Sequence, residues 1–453
     1  MPAISRVLCA LFLAAALSPS RAEDRLLVSL KDFVAAEVRQ QGFTLPGPGR
    51  IHIYARGGGP GEHDRFSVDG QFHAYGWILN ALTREVVWQM ALRNSEKQGP
   101  YRVSDVWVDL PAGSYEAYFS NHAHGRHTPF SHWNQNIDRR RGEPEDRRRH
   151  RWLRIFGLDA GSRLREWREQ AANFGMEVHL DGPGARTAST FQAPLDWKNI
   201  VLRLAAVEDN GFWRQAFRLT RPTTLHVYAE GESRGRRLRD QGWILDARTR
   251  KRVWEMSPDT AQYAGGARKN VRQVETIQLG AGDYEACYST DDSHSPADWN
   301  AAPPCDPLHY GLTLSVPADA ERPQVVLVAP PKEGSVLAEI VRVGNHQDRR
   351  QPFTLRTPRS VRILCIGEGD DEDLADRGWI EDAKGERIWS MAFPDTLPAG
   401  GASKNRLAEA ALRLPRGDYV LRYRTDDSHA YGRWNSAPPR NPERYGITVY
   451  EAD

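Results

Sequence analysis

The sequence predicts an all-β protein: three tandem antiparallel β-sandwich repeats, jelly-roll or immunoglobulin-like, the first with a basic, partly helical insertion. Three observations predict it. A set of short motifs recurs three times in the same order, the mark of a repeated structural unit. The segments between them alternate apolar and polar residues with period two, as strands with one buried face do. Gly, Pro and Asp punctuate those segments at short intervals, as hairpins require.

Each repeat opens with Gln-x-Phe-x-Leu, at Gln41–Leu45, Gln215–Leu219 and Gln351–Leu355. An alternating strand follows: Ile51, Ile53 and Ala55 face one way, His52 and Tyr54 the other, and Leu225, Val227 and Ala229 repeat the pattern against His226 and Tyr228. A hairpin comes next, starting at Gly76-Trp77, Gly242-Trp243 and Gly378-Trp379 and ending at Trp88, Trp254 and Trp389. Asp246 and Asp382 begin its turns, where an Asp side chain bonds its own backbone, so both are read as structural. Leu-x-x-Gly-x-Tyr closes the pattern at Leu110–Tyr115, Leu279–Tyr284 and Leu414–Tyr419.

These landmarks divide the chain into a leader at 1–22, a modified first repeat at 23–190, a second at 197–317 and a third at 324–453. Val316–Gln324, rich in proline and charge, reads as the joint between the last two. The first repeat carries an insertion, 135–180, whose Arg139–Arg154 stretch holds eight arginines against three acids. It can hold an anionic polymer or lipid headgroups, or it can be a solvated loop. After it, Ser162 is placed to cap a helix with Leu164, Trp167, Ala171 and Phe174 on one face and Gly175 at its end.

Lys and Arg number 61 against 59 Asp and Glu, a net charge of +2 over 453 residues. That balance argues against a nucleic-acid-binding chain. Arg6, the apolar run Val7–Leu17 and Ser20-Arg21-Ala22 form a secretory leader pattern, so an exported protein, periplasmic or secreted, is expected, with an N-terminal membrane anchor as the alternative. No transmembrane span is expected once the leader is removed. Cys287 and Cys305 bracket one loop of the second repeat, and the third repeat has Arg422 and Arg440 in their places. Their joint presence suggests a disulfide, which export permits; two unpaired thiols are the alternative. Cys365 sits at a small inward-facing strand position and reads as a buried free thiol.

The chemistry concentrates in a loop that occurs nearly intact twice, Asp283–Gly311 and Asp418–Gly446, with an eroded form from Ser114 that has lost both aspartates. Asp291, Asp292, Asp426 and Asp427 are candidate metal ligands, because loop carboxylates suit the irregular oxygen coordination of Ca2+. His294, Trp299 and Asn300, with His429, Trp434 and Asn435, are candidate ligand-binding residues. Lys269 and Lys404, in the recurring Gly-Gly loops at 265–270 and 400–405, join them; paired glycines allow a ligand close approach. The alternatives stay open: Asp and Ser side chains capping turns while the tryptophans pack on the sandwich, Ca2+ binding, or direct ligand contact. His122, His124 and His127 have the H-x-H-x-x-H spacing of some dinuclear hydrolases, but Arg126 stands where those want Asp. No nucleophile elbow, zinc-protease helix, phosphate loop or dinucleotide fingerprint is present.

In layout, Gln215–Val316 and Gln351–Tyr450 resemble the bacterial pre-peptidase C-terminal domain through the Phe-x-Leu strand, the polar hairpin and the Gly-x-Tyr strand. That resemblance implies a small β-sandwich of the kind appended to secreted enzymes. The function expected is non-catalytic binding by loops at one end of the sandwiches, assisted by Ca2+, with a glycan or an envelope or extracellular protein as partner. A structural or assembly protein of the cell envelope is the first alternative, and a hydrolase with an Asp/His/Lys site the second.

Overall fold

A computed structural model of the chain describes residues 24–34, 36–60, 71–122, 158–195, 199–330, 332–370 and 373–452. Among the described residues six antiparallel sheets form, and they fall into three pairs of recurring order. In the middle pair one sheet runs Ile200–Ala205, Gly311–Ser315, Thr223–Arg234, Asn270–Leu279, Gln262–Tyr263. Its partner runs Arg252–Glu255, Gln241–Asp246, Gly282–Ser289, Phe212–Leu219, Val325–Val328. The same order recurs on either side, with one strand fewer in the second sheet of the last pair. The fold is the all-β antiparallel sandwich that the alternation predicts. Ile51, Ile53 and Ala55 are wholly buried and pack with Phe43 and Ile78 of the facing sheet.

The recurring motifs have recurring causes. Phe43 stands opposite Tyr115, Phe217 opposite Tyr284 and Phe353 opposite Tyr419, with stacked rings 5.5, 5.6 and 5.3 Å apart. Each tyrosine hydroxyl donates to a carbonyl four residues upstream, at Pro111, Gly280 and Pro415. Gln41 and Gln215 donate to Phe191 O and Val328 O, so in the first two repeats the glutamine of the opening motif fastens an added edge strand. Asp246 accepts from Arg248 N and Thr249 N, and Asp382 from Lys384 N and Glu386 N, the turn-capping role expected of them.

Two local readings need correction. The helix runs Leu158–Ala171, a turn earlier than Ser162 as its cap, and Gly175 opens the strand Gly175–Leu180 rather than ending the helix. Trp167, Ala171 and Phe174 are buried, which is why the sequence pattern points to that face. The strand after the proline-rich joint, Val325–Val328, belongs to the middle sandwich because it pairs with Phe212–Leu219. The expected leader and the arginine-rich stretch Arg139–Arg154 lie outside the described residues. Among the described residues no helix is long and apolar enough to cross a membrane.

Successive sandwiches share their cores. Ala302 and Cys305 of the second pack into the core of the first, and Phe212, Trp243 and Cys287 of the second pack into that of the third. A buried Arg–Glu pair marks both contacts. Arg84 is fully sheathed and pairs with Glu116 and with Asp306 of the second repeat. Arg250, at the same turn position one repeat later, pairs with Glu285 and with Glu409 of the third. Burial would raise the Asp306 and Glu409 carboxyls, but their neighbours, Arg84 and His309 for the first and Arg214, Arg250 and Arg362 for the second, hold both well below the usual range. The third repeat has Gly385 and Val420 in place of the Arg and Glu.

Candidate metal centres

Three strand ends meet at one edge of the second sandwich. Glu232 lies near the end of Thr223–Arg234, Asp240 immediately before Gln241–Asp246, and Asp291 just beyond Gly282–Ser289. Ligand oxygens of the three lie within 4.8 Å of one another. Glu368, Asp376 and Asp426 repeat the arrangement, from matching strand ends, within the same limit. What brings the ends together is a close backbone crossing: a Cβ added to Gly231 or Gly367 would sit 2.1 or 2.2 Å from the carbonyl oxygen of Asp240 or Asp376.

The carboxylates are held in place from behind. Asp240 accepts the Asp291 N–H at 2.8 Å and the Tyr310 hydroxyl at 2.6 Å. Asp376 accepts the Asp426 N–H at 2.8 Å and the Tyr445 hydroxyl. Lys269 donates to Glu232 at 3.0 Å and Lys404 to Glu368 at 2.7 Å. One oxygen of each glutamate, Oε2, is buried with no hydrogen-bond partner in both repeats. Glu232, Asp240, Glu368 and Asp376 are all less than a tenth exposed.

Such crowding is costly without a counter-ion. Burial raises Asp240 far above an ordinary aspartate, with Asp291 and Glu232 adding to it. Burial, then Glu232 and Asp292, pushes Asp291 up to about 7, and burial pushes Asp376 up to about 7. Glu232 and Glu368 are raised by burial against the pull of Lys269 and Lys404. Once all three carboxylates are ionised, the one ammonium bonded to each triad leaves two negative charges, the complement of a divalent cation. The donors are all oxygen, which selects a hard ion.

The first sandwich supplies an internal control. Gly57 makes the same crossing with Ala74, and the triad positions hold Gly58, Ala74 and His122. All three carboxylates are lost together. His122 is buried and hydrogen-bonds Ser120; His124 and His127 lie outside the described residues.

The sequence-predicted residues separate into two groups. Asp291 and Asp426 enter the triads, whereas Asp292 and Asp427 are exposed at the rim and belong to neither. His294, Asn300 and Lys269 form a network beside the triad. His294 Nδ1 lies 3.0 Å from Asn300 Oδ1, Nε2 lies 2.5 Å from Asn270 Oδ1, and Lys269 donates to Asn300 at 2.5 Å. His429, Asn435 and Lys404 repeat it with Asn405, at 2.9, 2.7 and 2.6 Å. Burial, then the neighbouring lysine, depresses His294 strongly and pushes His429 down to about 4. Both ring nitrogens face asparagine oxygens, so neither His is a triad ligand.

Trp299 is buried edge-on against His294 and Tyr310, and Trp434 is half-buried against His429 and Tyr445. These tryptophans close the loop rather than offer a stacking face. The Gly-Gly loops are likewise filled from within. A Cβ on Gly266 would fall 1.8 Å from Pro303 O, and one on Gly401 2.0 Å from Pro438 O, so the glycines admit the chain's own backbone.

Cys287 and Cys305 are free and buried, not bridged. They pack at opposite contacts, Cys287 toward the third repeat and Cys305 toward the first, and burial pushes both thiols up to about 12. Cys365 is a buried free thiol 3.5 Å from Met391 Sδ, as its strand position predicts.

Sequence reasoning missed Glu232, Asp240, Glu368 and Asp376. Their signals were a Gly-Glu at the strand end and Asp-x-Gly-Trp, present in the second and third repeats and replaced by Gly-Gly and Ala-x-Gly-Trp in the first. No protein-family model and no curated protein sequence matches the chain.

Proposed function

We propose that the protein is an exported, non-catalytic binding protein whose second and third repeats each hold one divalent cation, Ca2+, in the triads Glu232–Asp240–Asp291 and Glu368–Asp376–Asp426. The cation ties three strand ends together and orders the loops at that edge, which then meet a glycan or an envelope or extracellular partner. The observation that carries this reading is the orphaned, buried glutamate oxygen, found at the same triad position in both repeats. A buried carboxylate oxygen without a donor is destabilising unless something positive meets it. The secretory leader pattern supports export, and Ca2+ concentrations outside cells suit weak oxygen sites.

A thermal melt tests the reading. After EDTA treatment, Ca2+ at a hundred times its Kd stabilises the folded state by about 2.7 kcal/mol per site and raises the midpoint. Asp240→Asn and Asp376→Asn each lose part of that rise, and the double variant loses all of it. A midpoint indifferent to every divalent ion would overturn the proposal.

A further inference from the structure

A groove of about 330 Å³ runs between the second and third sandwiches, and Asp291 of the second triad lines it. Several arginines converge there. Arg236 pairs with Asp259 at 2.6 Å, and Arg237 reaches across to Asp370 at 2.9 Å. Arg406 donates from Nε to Thr396 Oγ1 and from Nη2 to Thr396 O, with its guanidinium 4.8 Å from the centre of the Phe393 ring. Among the described residues no side-chain hydrogen bond or ion pair engages the Arg239 guanidinium, and none engages Arg406 Nη1. Burial, then Arg252, pushes Arg406 down to about 10, with Asp370 opposing the shift and Arg237 and Arg239 adding to it.

We infer that this groove binds the carboxylate of an acidic saccharide, held by Arg239 and Arg406 beside the cation of the Glu232–Asp240–Asp291 triad. The inference rests on the divalent-cation reading above. A guanidinium fork matches a carboxylate with two parallel hydrogen bonds, and a divalent ion held by protein oxygens keeps coordination positions for a ligand oxygen. The remaining lining suits a sugar: Ser257 and Ser403 supply hydroxyls, and Phe393 an aromatic ring. The volume holds one or two sugar rings. The third repeat has Ala375 where the second has Arg239, so one such site per chain is expected.

Isothermal titration with trigalacturonate, against cellotriose and inorganic phosphate as separate probes, tests it. In Ca2+ the account predicts one trigalacturonate per chain and at least tenfold weaker binding in Arg239→Gln and in Arg406→Lys. The Ca2+-induced rise in melting midpoint, retained in both arginine variants, shows that they fold. Equal binding of cellotriose would overturn the carboxylate requirement, and phosphate binding as tightly as trigalacturonate would overturn the saccharide. Equal trigalacturonate binding in EDTA would remove the cation from the site. A retained Ca2+ midpoint shift with no trigalacturonate binding overturns this inference alone and leaves the cation reading standing.

Discussion

Replacing Glu409 by Ala removes the carboxylate at the centre of the contact between the second and third sandwiches. In the native protein that side chain meets Arg214 at 3.2 Å, Arg362 at 2.9 Å and the Arg250 guanidinium, and it is 1% exposed. Glu285 remains as the other buried acid, already engaged by Arg250 at 2.8 and 3.0 Å and by Arg214 at 3.2 Å. The variant therefore leaves Arg250 and Arg214 sharing Glu285 and takes from Arg362 its Glu409 partner, with the Arg250 side chain 1% exposed. Removing one partner of a buried ion pair costs about 3–5 kcal/mol, because the survivors stay desolvated without compensation. An exposed pair would cost only about 0–1 kcal/mol. Urea unfolding followed by tryptophan fluorescence gives the loss directly, since Trp243 sits in this contact. A loss under about 1 kcal/mol would refute the reasoning and mean that the two sandwiches do not depend on the network. Trigalacturonate binding serves as a second readout, because the groove lies between the same two sandwiches.

The remaining predictions concern pH, thiols and backbone. Asp291 and Asp376, raised to about 7 in the folded protein, keep protons that the unfolded chain releases near pH 4, so metal-free stability falls as pH rises from about 4 to about 7. A cation needs those carboxylates ionised, so the Ca2+-induced rise in midpoint is small at pH 5 and large at pH 8; equal rises would contradict the assignment. Cys287, Cys305 and Cys365 stay unreactive toward a thiol reagent in the native protein and react after unfolding without a reductant; only one reactive thiol at that stage would restore the disulfide. Gly401→Ala places a Cβ against Pro438 O at a φ of 72° and is expected to cost at least about 1–3 kcal/mol by urea unfolding, whereas Gly280→Ala, with open space around it, stays near neutral.

The fold was legible because its signals are local. Period-two alternation at Ile51–Ala55 and the Asp-led turns at Asp246 and Asp382 each depend on neighbours a few residues away. The site was half legible for the opposite reason. Asp291 and Asp426 stood out in a repeated loop, but their partners come from two other strand ends, and no spacing within the loop names Glu232 or Asp240. Asp292 and Asp427 carried the same sequence signal and differ only in pointing outward. Cys287 and Cys305 misled because their joint presence has a separate packing cause at each end of the middle sandwich. Nothing local marks Arg84 and Arg250 as buried, because the repeat that buries each one lies far along the chain.

The central claim is that the two triads are cation sites. Calorimetric titration of the EDTA-treated, dialysed protein with Ca2+ tests it most directly, because it counts sites. The account predicts two ions per chain, one in Asp240→Asn, one in Asp376→Asn and none in the double variant. Binding that survives the double variant, or no binding by the parent protein, would contradict it.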